Sequence, residues 1–414
     1  MFRALGHPNY RLFFAGAFLS NAGTWMQTVA QSWLVLQLTD SGTWLGVDTF
    51  VATAPGLVLT LVGGVIADKV DRKRLLIYTQ AGAGLSALAL SALVWGGAIR
   101  WEGAGRRPAD VWMVLLLSFV TGCCWAISGP AYQAITVDLV EREDLANAIA
   151  LNSSQFQLAR VAGPTLAALT MRLLGMAGCF FANGLSYVAI VAALARVSFE
   201  KRSAAPPVTA GAARRSMWGD LTEGFSYVRG RPRVGAVLLC STVVCLFGAP
   251  YLVLLPLFAR NVYGWGEAGL SLLMGTAGAG ALVGALGLAY LGDARRKGLI
   301  LLASMLAAGA CIIGFASAPS PRLAAPLLFA AGMSMVTFFA LGNTLVQQLV
   351  TDEMRGRVMS MWILTFVGTL PVGSFLSGAA ADRFGARPTL AACGLVVLLF
   401  GLTAAFGNPR LREM

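Results

Sequence analysis

Long uncharged runs divide the chain. They lie between Arg11 and Asp40, Asp48 and Asp68, Arg74 and Arg100, and Asp110 and Asp138. More fall between Arg172 and Arg196, Arg233 and Arg260, Glu267 and Asp293, and Lys297 and Arg322. The last run from Arg322 to Asp352, Arg357 to Asp382, and Arg387 to Arg410. Each holds about 20 residues or more, enough to cross roughly 30 Å of hydrocarbon as helix. One further apolar segment, 146–171, is interrupted by a single charge, Arg160. The pattern predicts an all-α membrane protein with twelve spans. Barrel strands do not fit, because the runs do not alternate polar and apolar positions. Gly and Ala along the runs let helix backbones approach closely in lipid.

The longest polar stretch, 198–233, separates the spans into six and six. It contains "SAAPPVTAGAARRS" (203–216), whose Ala, Pro and Ser content marks a linker. The expected organisation is an N-terminal six-helix bundle over 1–197, a cytoplasmic linker over 198–233 and a C-terminal six-helix bundle over 234–414. Within the linker, Trp218, Leu221, Phe225 and Val228 recur at helical spacing, with Asp220, Glu223 and Arg229 on the other face. That predicts a short amphipathic helix on the membrane surface. A shift of 210 residues aligns "LVEREDLANAIALN" (139–152) with "LVTDEMRGRVMSMW" (349–362), Gly163 with Gly373, and Gly175 with Gly385. Two matching halves are what a duplicated transporter should have.

Composition supports the membrane reading. Hydrophobic residues make up 57% of the chain and charged residues only 12%, against about 25% charged in soluble domains. The net charge of +12 could suggest nucleic acid, but its distribution argues otherwise. With a cytoplasmic N-terminus, 22 of the 31 Lys and Arg lie in inner loops, eight lie outside and Arg160 lies within a span. This is the positive-inside pattern of a multi-pass inner-membrane protein. Three Arg in the outer loop 99–110 run against it. The seven Cys fall within spans and form no C-x-x-C pair, so they read as small packing residues rather than a metal or redox site. The start, "MFRALGHPNYR", reads as a retained first span rather than a signal peptide. No G-x-x-x-x-G-K-[S/T] loop is present, which argues against ATP as the direct driver. His7, the only histidine, lies in the N-terminal tail, so no Ser/His/Asp or Cys/His catalytic set can form and an enzyme is not expected. No cofactor is expected either.

A knot of charge interrupts the apolar pattern at "GGVIADKVDRKR" (63–74). Gly64 lies four residues before Asp68, one helical turn away, and Arg72 follows. The arrangement is echoed by Gly378 and Asp382 in the outer loop, with Arg387 beyond. Glycine lets a neighbouring helix come close, and the aspartate then sits at a helix end. There it can meet Arg72 or the positive N-terminus of another helix. Arg355 and Arg357 precede the eleventh span on the same side as Asp68. Together Gly64, Asp68, Arg72, Arg355 and Arg357 would form a cytoplasmic latch that holds the halves in one conformation and releases them in the other. The alternative is an ordinary basic inner loop with an acid at a helix end.

The stretch G-x-x-x-D-K-x-D-R-K resembles the loop signature of the major facilitator superfamily between its second and third spans. "GTWMQTVAQSWLVLQLT", "LANAIALNSSQFQLARVAGPTLA" and "ADRFGARP" resemble one bacterial group within it, the macrolide- and enterobactin-exporter-like efflux proteins, or transmembrane secretion effectors. Asp71 stands where the superfamily often has Gly, and "GDARRK" (292–297) is only a degraded copy of the signature. The segment 159–168 resembles the antiporter signature of superfamily exporters, with Ala at three positions where that pattern has Gly. The resemblance implies the major facilitator fold: two pseudo-symmetric bundles that alternate access to a central cavity. It also implies export by proton antiport of a small amphiphile such as a drug, macrolide or siderophore-like metabolite. An importer or uniporter, and a non-transporting membrane sensor or scaffold, remain open beside it. The expected partners are a small-molecule substrate, protons and the lipid bilayer of a bacterial cytoplasmic membrane; a monomer is expected, with both termini cytoplasmic.

Arg160 lies about 16 Å into the fifth span at ~1.5 Å per residue. An arginine near the midplane costs roughly 2.5–3.5 kcal/mol on insertion scales, so it should face the bundle interior and a partner. It can pair with an acid, anchor an anion, hold a polar network, or serve structurally by bonding backbone carbonyls. Gly163 and Pro164 just beyond it predict a bend. Asp48, one turn inside the second span, is the protonatable candidate; an interfacial acid reaching water is the alternative. Gln27 with Gln31, and Asn343 with Gln347, stand one turn apart and mark a cavity wall. In the superfamily the first, fourth, seventh and tenth spans line the cavity, which would place Trp25, Trp125, Phe338 and Phe339 there. Lipid-facing or packing roles compete for each aromatic.

Overall fold

A computed structural model describes residues 3–59, 70–101, 107–197, 217–292, 296–407 and 412, the side chains of 217–222 and 291 excepted. Gly64, Asp68, the linker stretch 198–216 and "DAR" at 293–295 lie outside the described residues. Nine helices are long and apolar enough to cross a membrane among the described residues. One of them, Leu145–Arg196, is two spans: its backbone breaks at Gly175, with φ 69° and ψ −173°. Beyond the turn the chain folds back, and the Cys179 thiol approaches the Ala167 carbonyl at 3.8 Å. Two further helices, Pro8–Thr39 and Gly42–Thr53, complete twelve spans. The first of these is less apolar because it carries Asn21, Thr24, Gln27, Thr28 and Gln31. With no water in hydrocarbon, helices satisfy every backbone group internally.

We number the spans in chain order. Span one is Pro8–Thr39, span two begins at Gly42–Thr53, and span three is Arg72–Trp95. Span four is Val111–Leu139, and spans five and six are the two arms of Leu145–Arg196. Span seven is Pro232–Val262 and span eight Glu267–Leu291. Spans nine to twelve are Lys297–Ser317, Pro321–Leu349, Asp352–Phe384 and Ala386–Gly407.

The halves repeat each other at their glycines. Gly175 turns between spans five and six, and Gly385, with φ 90°, turns between spans eleven and twelve. A Cβ at Gly163 would sit 2.3 Å from the Trp25 Cβ on span one. A Cβ at Gly373 would sit 2.2 Å from the Leu246 carbonyl on span seven, the counterpart of span one. The 210-residue shift is therefore a structural repeat. Two six-helix bundles result, joined mainly where span two packs on span eleven and span five on span eight.

The face that carries the chain termini is tied within each half. His7 meets Asp144 at 2.9 Å and Tyr10 donates to the Ala148 carbonyl. Asp71 caps span three, accepting from the Lys73 and Arg74 amides at 2.8 and 3.2 Å. An acid where the superfamily often has Gly thus has a local role. Lys73 donates to the Ala195 and Val197 carbonyls and closes the end of span six. A linker helix, Met217–Arg229, docks on the start of span eleven. There Glu223 pairs with Arg357 at 2.9 Å and the Thr351 amide donates to the Tyr227 hydroxyl.

Gly373→Leu should destabilise the second bundle by about 3 kcal/mol, the upper range for overpacking. A lower melting temperature in detergent by light scattering checks this, with Gly356→Ala, where nothing crowds the Cβ, as the unaffected control.

Candidate functional site

Two connected cavities lie between the halves. One, of about 480 Å³, is lined by Gln27, Gln31, Asp48, Trp125 and Arg160 from the first half. The other, of about 850 Å³, extends toward the terminal face past Asn21, Gln80, Gln133 and Gln155. Trp125 lines both. The second half contributes only apolar side chains. They are Ala249, Leu252, Val253, Met274 and Leu370 in the first cavity, and Leu286, Ala289, Val336 and Ala340 among those in the second. The space is therefore two-faced, polar on one wall and greasy on the other.

Asp48 terminates a chain of hydrogen bonds across four spans. Ser186 donates to Asn183 Oδ1 at 3.0 Å, and Asn183 Nδ2 donates to Gln27 Oε1 at 2.6 Å. Gln27 Nε2 donates to Gln31 Oε1 at 3.2 Å. Gln31 Nε2 donates to both carboxylate oxygens of Asp48, at 3.0 and 2.9 Å, and Ser118 Oγ adds a third bond at 2.6 Å. Every donor points toward Asp48, so the bonds polarise one another and satisfy an ionised carboxylate. Ser118 and Asn183 escape sequence reading, since single hydroxyl and amide residues in apolar runs carry no period. An isolated amide within "CFFANGLSY" is the one available signal for Asn183.

Arg160 reaches the same cavity from span five. Its guanidinium lies 5.3 Å from the centroid of the Trp25 ring, a cation–π contact. The Tyr251 hydroxyl of the second half is buried near it, behind the cavity lining. Two glycines hold the arginine in place: Gly163 brings span one close, and a Cβ at Gly278 on span eight would sit 2.7 Å from the Arg160 carbonyl. Gly163 and Pro164 keep helical dihedrals, so the chain runs through them as continuous helix.

The other candidates are placed as follows. Gln27, Gln31 and Trp125 line the cavity, and so does Trp25. Phe338 does not; it is fully buried and packs on Phe339, which packs on Phe366. Asn343 accepts from Gln347 on the helical face of Val336 and Ala340, but one to two turns beyond the cavity lining. Of the residues expected to latch the terminal face, Gly64 and Asp68 lie outside the described residues, and the three arginines have these partners. Arg72 pairs with Asp138 at 3.1 Å, Arg355 with Asp352 at 2.5 Å, and Arg357 with Glu223.

Among the described residues, polar contacts join the halves at the opposite face. Asp382, at the end of span eleven, caps the N-terminus of span two. It accepts from the Gly42 amide at 2.5 Å, the Thr43 amide at 2.9 Å, and the Ser41 and Thr43 hydroxyls at 2.5 and 2.6 Å. Ser41 makes no cap of its own, so an acid from the other half takes that role. Backbones meet beneath it: a Cβ at Gly378 would lie 2.1 Å from the Gly42 carbonyl, and one at Gly46 2.5 Å from the Ser374 carbonyl. Nearby, Arg260 of span seven pairs with Asp40 at the end of span one and donates to the Leu36 carbonyl at 3.3 Å.

The family profile described as transmembrane secretion effector matches residues 1–414. The chain belongs to this family of the major facilitator superfamily. It is similar to the staphyloferrin A transporter of Staphylococcus aureus, at 23% identity over 97% of both chains. It is similar to the enterobactin exporter EntS of Escherichia coli, at 25% identity over 98% of this chain and 93% of that one. Its fold matches a bacterial homologue of the human lysosomal transporter Spinster, with TM-score 0.72, 13% identity and 98% coverage of each chain. The nucleoside transporter NupG matches with TM-score 0.69 and 14% identity, over 97% of this chain and 98% of that one. A major facilitator protein of this kind is a membrane transporter and not an enzyme.

In this transporter Asp382→Ala should weaken the closed face by about 1 kcal/mol, the usual worth of a helix cap. A cysteine replacing Leu257, which packs at that contact, should then react roughly fivefold faster with an impermeant maleimide.

Proposed function

We propose that the protein exports a small amphiphile across a bacterial cytoplasmic membrane by alternating access, exchanging it for protons. The carrying observation is the joining of the halves at the face opposite the termini, around a cavity that extends toward the terminal face. The distribution of Lys and Arg supports a cytoplasmic terminal face. Substrate then enters from inside. The bodies that rock are residues 1–197 and 234–414, with 198–233 as their tether, within a single monomer. Opening the far face requires Asp382 to leave the start of span two and the Gly42–Gly378 contact to part.

Two relatives named for staphyloferrin A and enterobactin support a siderophore-like cargo. The two-faced cavity supports the same class, since an amphiphile needs one polar and one apolar wall. Asp48 is the proton carrier in this reading. Among the described residues it is the carboxylate that lines the cavity. Protonation turns one of its two oxygens from an acceptor into a donor, so Gln31 keeps one carboxyl acceptor instead of two and the end of its chain has to rearrange. The tilt of spans one, two, four and six thereby becomes linked to one proton.

Inverted vesicles carrying the protein should accumulate labelled enterobactin or staphyloferrin A when a proton gradient is imposed, and lose it on adding an uncoupler. Accumulation only in the opposite vesicle orientation would make it an importer. Asp48→Asn should cut gradient-driven accumulation by at least about tenfold, the scale of one lost ionic hydrogen-bond centre, while leaving binding in place. A pH dependence equal to that of the unmodified protein would remove Asp48 from the coupling.

A further inference from the structure

The cavity holds one acid and one base, and their surroundings differ. Asp48 is fully served by Gln31 and Ser118. Arg160 is not. Its guanidinium has five N–H donors, and among the described residues no carboxylate stands within ion-pair distance of it. Its neighbours are the face of Trp25 and the Tyr251 hydroxyl. That hydroxyl is buried and has no hydrogen-bond partner. It faces the same unmet requirement from the other half. A charge at this depth is costly unless an acceptor answers it. The ring face stabilises the cation but accepts none of its in-plane hydrogen bonds. What the site lacks is an oxyanion.

The opposite wall defines the rest of the ligand. Leu252, Val253, Met274 and Leu370 offer no polar atom to it. We propose that Arg160, with Trp25 beside it, forms an anion subsite that takes the ionised carboxylate or phenolate of an amphiphile, whose apolar body lies against the second half. This rests on the export reading for its purpose but not for its chemistry. The subsite selects organic anions over neutral isosteres and over lipophilic cations. The carboxyl of Asp48 already accepts hydrogen bonds from Gln31 and Ser118 inside the first half, whereas Arg160 has no such acceptor.

Binding tests it without transport. The purified protein in nanodiscs of zwitterionic lipid is titrated with 1-naphthoate and with its neutral isostere 1-naphthamide, following tryptophan fluorescence. Naphthoate should bind at least about tenfold more tightly, the least that a charge-assisted bond confers. Arg160→Gln should abolish that preference. Equal affinity for acid and amide in the unmodified protein would overturn the subsite, as would tighter binding of tetraphenylphosphonium than of naphthoate. A preference that survives in Arg160→Gln would also overturn it. Loss of naphthoate binding when phosphatidylglycerol is added would give the subsite to a lipid headgroup and overturn its assignment to cargo. If naphthoate binds as expected but inverted vesicles accumulate nothing, the export reading fails and the subsite stands.

Discussion

A carboxylate on one half capping a helix on the other is the contact on which the architecture turns. Asp382 supplies the acceptor that the first amides of span two require and that Ser41 does not provide. The contact is local, polar and reversible. It needs backbones within touching distance, which Gly42, Gly46 and Gly378 allow. A hydrophobic seam of the same area would have no polar alternative when it opened. A capped helix end can exchange its carboxylate for water at a cost of about 1 kcal/mol. That modest value suits a gate, because both states of a transporter must be populated during its cycle.

Elsewhere the protein keeps its polar groups in one half and its grease in the other. The chain from Ser186 to Asp48 is closed on itself within spans one, two, four and six. The second half meets the cavity with aliphatic side chains alone. The division has a mechanical benefit. If the halves rock as proposed, no hydrogen bond in the polar chain has to break, since none of those bonds crosses the cavity. The crossing interactions are the Asp382 cap, the Arg260–Asp40 pair and the contacts around Arg160. Each sits where the halves either part or pivot.

The spans were legible because a charge is expensive in hydrocarbon, so uncharged runs mark them directly. Arg160 was legible for the same reason, as an exception that needs an explanation. The repeat was legible in Gly175 and Gly385, which both take positive φ, a conformation that favours glycine. Other features were not. Phe338 and Trp125 look alike in sequence, yet one is buried and the other faces the cavity, because helical periodicity gives a face but not a depth. Gly163 was legible as a glycine with a purpose, but the purpose that shows is the close approach of span one. The echo of the charged signature at Gly378 and Asp382 was visible, and so was its affinity for a helix N-terminus. Which face it closes was not, because one sequence encodes both states and a single structure holds one of them.

If the protein exchanges protons for an anionic cargo as proposed, an anion at Arg160 constrains how that exchange can work. Neutralising Asp48 leaves the cavity more positive, and Coulomb attraction then favours the anion's binding. Proton and cargo therefore do not compete by charge, and exchange cannot arise from simple displacement. It has to arise from the halves: the proton must be accepted in the state open to the far face and released in the state open to the terminal face. The link is the direction of the amide chain, which fits an ionised Asp48 in the state described. The membrane potential adds to this. An anion leaving a cell that is negative inside gains about 2.3 kcal/mol per charge for every 100 mV. An entering proton gains as much again. With both charges moving downhill, the coupling between them can be loose and the cargo still leaves, provided the far-face cap opens only while the terminal face is shut.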